Sequence, residues 1–175
     1  MVIIVTGAIG IGKTTVCQKL IEIIRDSGYS CGGILSYKGA NETIIVEDIE
    51  SGKKEPLASA GNLYTGPRTP KYSFNSRGID FGIKAIDTSV SRDILIVDEL
   101  GYLELMGEGF SKVVGLIKAR RVKHCILVIR SDLLPAFIAQ LPATQVFETT
   151  ITSRNRLPKD IVAALLDKTK GSGVS

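Results

Sequence analysis

Residues 7–14 read Gly7-Ala8-Ile9-Gly10-Ile11-Gly12-Lys13-Thr14, and no other stretch constrains this chain as tightly. Four residues separate Gly7 from the Gly12-Lys13-Thr14 triplet, the spacing of a phosphate-binding loop. Glycines let the backbone curl until its N–H groups point inward at phosphate oxygens. A lysine at position 13 reaches the outer phosphates as a point charge, and a threonine hydroxyl at position 14 can ligate Mg²⁺. The flanks decide whether the match is structural. Val2-Ile3-Ile4-Val5 is an unbroken run of β-branched residues, as a buried parallel strand requires. Val16, Leu20, Ile23 and Ile24 recur on one face of a following helix, whose N-terminus adds its dipole to the anion site. The expected phosphate-contacting set is therefore Gly7, Ala8, Ile9, Gly10, Ile11, Gly12, Lys13, Thr14 and Thr15.

A second stretch completes the site. Ile94-Leu95-Ile96-Val97 ends in Asp98-Glu99, placing two acids at the carboxyl end of a buried strand, where open α/β sheets bind ligands. Asp98 is the expected partner of Thr14 in holding Mg²⁺, and Glu99 the expected base that takes a proton from an attacking water. Hydrolysis also requires positive charge opposite the charge developing on the phosphoryl group. By position, at or after strand ends, Arg130 and Arg156 are the leading candidates, with Arg154, Arg68, Lys71 and Arg77 as further options.

Along the rest of the chain, strands alternate with helices. Cys31 to Tyr37 and Thr43 to Ile49 read as two strands joined by a glycine-containing loop, followed by a short Pro56-Leu57-Ala58 segment. Residues 61–78 carry two prolines and three glycines and read as irregular. Ile79 to Val90 reads as a helix, as does a segment repeating Phe110, Val113, Val114 and Ile117. Cys125 to Ile129 and Gln145 to Ile151 read as strands, Leu133 to Leu141 as a short helix ended by Pro142, and Pro158 opens a closing helix. The expectation is an α/β fold of three layers, α/β/α, with a mostly parallel sheet and an inserted antiparallel hairpin, the architecture of a P-loop NTPase. One domain is expected over 1–167, with 168–175 as a disordered tail.

Composition narrows the partners. At 175 residues the chain suits one compact domain. A net charge of +4 suits a small polyanionic ligand and does not by itself point to nucleic acid. Arg120-Arg121-Val122-Lys123 sits where it complements a helix C-terminus. No apolar run approaches the roughly 20 residues of a membrane span, and no signal-peptide pattern opens the chain, so a cytoplasmic location is expected. With no evident exposed apolar stripe, the expected state is a monomer. Cys17, Cys31 and Cys125 form no C-x-x-C pair and read as buried reduced thiols; His124 reads as structural.

Together, residues 7–15, Asp98-Glu99-Leu100-Gly101-Tyr102-Leu103-Glu104-Leu105 and Thr152-Ser153-Arg154-Asn155-Arg156 resemble the THEP1-type nucleoside-triphosphatase family. Gly32-Gly33 and Lys71-Tyr72 resemble it as well. The resemblance implies Mg²⁺-dependent hydrolysis of nucleoside triphosphates (ATP, GTP and others) to diphosphates with broad base tolerance, and assigns Asp98 and Glu99 the metal and base roles. The chain departs from the family pattern at Tyr102, often lysine there, and at Leu157, usually acidic. A nucleotide or nucleoside kinase and a slow nucleotide-dependent switch share the loop and stay open on the residues alone. The Asn-Lys-x-Asp motif of guanine switches does not occur.

Overall fold

The computed structural model describes residues 1–142 and 144–170, without the side chains of 167–170. The chain runs β1 (Val2–Thr6), α1 (Lys13–Asp26), β2 (Cys31–Lys38), β3 (Thr43–Asp48), β4 (Lys54–Ala60), β5 (Tyr72–Phe74), α2 (Ser76–Thr88) and β6 (Ile94–Leu100). It continues through α3 (Tyr102–Leu105), α4 (Lys112–Lys118), β7 (His124–Ile129), α5 (Leu134–Ile138), β8 (Thr144–Glu148) and α6 (Leu157–Lys170). The strands form one eight-stranded sheet in the order β5-β4-β3-β2-β6-β7-β1-β8. From β2 to β8 every neighbouring pair is parallel.

Alternation along the parallel strands explains their unbroken apolar runs. Val2 and Ile4 face one layer, Ile3 and Val5 the other; Leu95 and Val97 oppose Ile94 and Ile96 in the same way. One layer is built by α2, α4 and Phe137 of α5, the opposite one by α1 and α6. Both faces are covered, so a polar residue inside these strands would have no water to meet. Each fully buried Ile, Leu or Val contributes roughly 1.5–3 kcal/mol relative to an exposed one. The three cysteines are free and buried, and burial lifts the Cys125 thiol to about 12.

The antiparallel part is larger than a hairpin. The Pro56 segment is a full strand, β4, and Tyr72–Phe74 within the irregular stretch pairs with it as β5. Pro56 lacks a backbone donor, and the β3–β4 register shifts next to its partner, between Ile44 and Ile45. β5 carries three residues amid turn formers, too short for any periodicity to appear. The helix expected around Phe110 is instead two, α3 and α4, with Phe110 in the connection, packed against Gly82 of α2. The last strand ends at Glu148 rather than Ile151. α6 extends through Lys170, three residues past the expected end at 167; residues 171–175 of the expected tail lie outside those described. Among the described residues no helix is long and apolar enough to cross a membrane.

Candidate active site

The loop between β1 and α1 adopts conformations that demand glycine. Gly10 and Gly12 have φ of 78° and 105°, in the left-handed region that L side chains avoid. A Cβ on Gly7 would lie 2.6 Å from the Thr149 carbonyl oxygen, so the loop is seated directly on the end of β8. Ala8, Ile9 and Gly10 face solvent, which leaves the inside of the curl open to a ligand. The Lys13 ammonium turns back over the loop and donates to the carbonyl oxygens of Gly7 (3.0 Å) and Ala8 (2.9 Å). Burial lowers its pKa, while Glu99 and Asp98 act in the opposite sense. A buried cation whose hydrogen bonds go to backbone carbonyls is poised to exchange them for an anion.

β6 brings the acids to the same place. Its pairing with β7 slips between Asp98 and Leu100, so Glu99 is the extra residue of a bulge. Strict alternation would send Asp98 and Glu99 to opposite faces; a bulge re-aims one of them. Asp98 is 1% exposed. Burial raises its carboxyl to about 7, against the lowering effect of a hydrogen bond from Thr14. The Thr14 hydroxyl also lies 3.4 Å from the Ser36 carbonyl oxygen, and the Ser36 N–H reaches Asp98 Oδ2 at 3.5 Å. Glu99 is exposed at the mouth of the site, yet the surrounding protein raises its carboxyl by desolvation, countered by Lys13, Arg130 and Lys38.

Glu104 is the residue that sequence reasoning missed as a working part of this region. Its buried carboxylate accepts the Gly101 N–H at 2.7 Å and the Phe110 N–H at 2.9 Å. It thereby ties the turn that follows Glu99 to the chain entering α4. The spacing from Gly101 to Glu104 is that of a helix capping pair, a signal present in the sequence.

The candidate arginines separate. Arg130 follows β7 and lies 5.5 Å from the Tyr102 ring centre, with Nη2 2.6 Å from Asp132. It borders the same cavity as Lys13, Thr14, Asp98 and Glu99. Arg156 is exposed, pairs with Asp160 at 2.9 Å and is not among the cavity's lining residues. Arg154 is exposed, Arg68 bonds Asn62, and Arg77 lies in the first turn of α2. Leu157, one of the two departures from the family pattern, is buried in the α1–α6 layer; Tyr102, the other, is 45% exposed and borders the cavity.

The sheet order explains the convergence. β7 lies between β1 and β6, so its carboxyl end sets Arg130 between the phosphate loop and the two acids. The shared cavity measures about 490 Å³ and runs from Gly10–Thr15 past Asp98 and Glu99 to Leu57, Phe74 and Phe110. Among the described residues no group of three or more His, Cys, Asp or Glu side chains could hold a metal alone. The Thr14 hydroxyl beside the Asp98 carboxyl is a hard oxygen pair, the kind of partial donor set that suits Mg²⁺ completed by water and phosphate oxygens.

The chain resembles known proteins in sequence and in fold. A family profile described as NTPase matches residues 2–162. The nucleoside-triphosphatase THEP1 of Methanopyrus kandleri is 28% identical over 173 residues, covering 94% of this chain and 95% of that protein. The corresponding protein of Archaeoglobus fulgidus is 30% identical over 171 residues, covering 94% and 99%. In fold, the chain is similar to THEP1 from the hyperthermophile Aquifex aeolicus, with a TM-score of 0.76 at 23% identity over 94% of this chain and 99% of that one. It is also similar to a human cancer-related nucleoside triphosphatase solved in solution, with a TM-score of 0.72 at 23% identity, covering 93% and 96%.

Proposed function

The chain belongs to the THEP1-type nucleoside-triphosphatase family, and from that premise we propose that it is a Mg²⁺-dependent hydrolase that converts a nucleoside triphosphate and water to the diphosphate and phosphate. The observation that carries this reading is the meeting of Lys13 and Thr14 with Asp98 and Glu99 in one cavity. Loop N–H groups and Lys13 hold the phosphates, giving up the Lys13 contacts to Gly7 and Ala8 for the ligand. Thr14 and Asp98 would hold Mg²⁺, which when bound neutralises charge on the outer phosphates. Ionisation of Asp98, whose carboxyl sits near 7, accompanies that binding. Glu99, uncharged more readily than a free carboxylate but open to the cavity, accepts the proton of the attacking water. Arg130 supplies positive charge at the reacting end; the exposed pairing of Arg156 with Asp160 favours Arg130 over it.

Broad base tolerance is part of this reading because membership of the family implies it; the missing Asn-Lys-x-Asp tetrapeptide argues only against a guanine-specific switch. We read the protein as a cytoplasmic monomer without a nucleic-acid partner; its three free cysteines suit a reducing compartment. The test is phosphate release by the purified protein with Mg²⁺ and each of the common triphosphates, with no acceptor added. Release with several bases, abolished by a chelator, is expected. Failure to release phosphate from any of them would refute the hydrolase.

A further inference from the structure

A water molecule needs little room, yet the cavity does not end at Glu99. Beyond the acids, on the side away from the phosphate loop, it continues under the antiparallel strands. There it is walled by Ile44, Leu57, Tyr72, Phe74, Leu103 and Phe110, contributed by β3, β4, β5, α3 and the α3–α4 connection. The sheet order fixes the sequence of compartments: loop on β1, acids on β6, then β2 and the β3–β5 extension. Because Lys13 and the metal-holding residues mark the outer phosphates, the apolar end faces the terminal phosphate rather than the base. A mostly apolar chamber with a few polar groups is the signature of a small-molecule site. Two cations stand where it meets the acids, Lys38 at the end of β2 and Arg130 after β7, each near enough to lower the Glu99 carboxyl. Lys71 stands at its rim, paired with the exposed Glu42.

We propose that this end of the cavity is a second substrate site for a nucleoside monophosphate, its ring between Leu57, Phe74 and Phe110 and its phosphate between Lys38 and Arg130, placed to accept the terminal phosphoryl group. The proposal rests on the triphosphate lying on the loop as above. An oxygen of the monophosphate, already anionic at neutral pH, bonds to the terminal phosphorus. The bond from that phosphorus to the bridging oxygen breaks, and its electron pair leaves with the first nucleotide as a diphosphate. Two diphosphates result, and no proton has to move, so Glu99 is dispensable for transfer though required for hydrolysis.

The experiment is calorimetric titration of AMP, GMP, CMP and UMP into the full chain holding Mg²⁺ and a non-hydrolysable triphosphate, paired with a transfer assay using γ-labelled triphosphate. At least one monophosphate is expected to bind with a Kd below about 1 mM, and label to appear in its diphosphate. Ile44→Trp, which fills the chamber from a half-buried position, and Phe74→Ala should each weaken that binding about tenfold or more. Ile44→Trp should leave acceptor-free phosphate release unchanged. No binding by any of the four, binding unaffected by both variants, or binding without label transfer would each overturn the proposal. Acceptor-free release on the same samples tests the hydrolase separately: Glu99→Gln is expected to lower release about 10²-fold or more and spare transfer.

Discussion

Glu99 and Asp98 are adjacent in the chain, yet their environments separate them and underlie the different roles proposed for them. Asp98 is sealed in beside Thr14, whereas Glu99 reaches the open cavity from the bulge. Glu99→Gln is expected to lower phosphate release about 10²-fold or more while nucleotide still binds, measured by turnover and by nucleotide titration. Unchanged turnover would remove Glu99 from the base role. Lys13→Ala is expected to weaken both nucleotide binding and turnover, because its ammonium is the cation buried within the loop. Asp98 carries a pH signature as well. Its carboxyl sits at about 7 when folded, against about 3.9 in an unfolded chain. Between those values the folded protein holds a proton that the unfolded chain has lost, so this group's contribution to stability falls as pH rises and levels off above about 7. Asp98→Asn does not titrate there. Without nucleotide, the melting temperature of the variant minus that of the parent should therefore climb from about pH 5 to about pH 8. A flat difference would contradict the raised carboxyl.

At the scale of elements, the segment joining β6 to α4 is held by Glu104, and β2 is held to β6 by the absence of a side chain. Glutamine at position 104 keeps one acceptor oxygen but presents an amide donor to the second N–H, leaving Gly101 or Phe110 unsatisfied. Glu104→Gln is expected to cost about 1–3 kcal/mol in denaturant unfolding. It should also lower kcat more than it raises KM, since the turn behind Glu99 loosens while the phosphate loop is untouched. Full stability in this variant would rule out the clamp. Gly33 has φ of 110°, and a Cβ there would collide with the Ile96 backbone carbonyl on the neighbouring strand. Gly33→Ala must both strain β2 and push it off β6, so a loss of more than about 2 kcal/mol is expected. The Gly32-Gly33 pair was visible in the sequence as a family feature. Its physical reason, close approach of two parallel backbones, needed the pairing of β2 with β6.

For the molecule as a whole, loop and acids lie on different strands, so a ligand that binds both couples the centre of the sheet together. With Mg²⁺ and a triphosphate at about 100 times Kd, stabilisation of about 2.7 kcal/mol is expected. For a chain of this size that raises the melting temperature by roughly 5–10 °C, readable by thermal scanning. The sequence by itself determined the phosphate loop, the apolar strands on either side of it and the two acids ninety residues downstream. Each is a local pattern: glycines at fixed offsets, unbroken β-branched runs, a carboxylate at a strand end. It also determined the α/β class, because buried parallel strands and amphipathic helices differ in period. What only the tertiary structure decided was which distant pieces meet. Arg130 and Arg156 looked alike at strand ends; the order β6-β7-β1 set one of them in the cavity, while the other pairs with Asp160 on the surface. β5, the clamp of Glu104 on Phe110 and the chamber beneath the antiparallel strands were likewise invisible. Their partners are remote in sequence or too short to show a period, and contacts of that kind leave no mark until the chain has closed on itself.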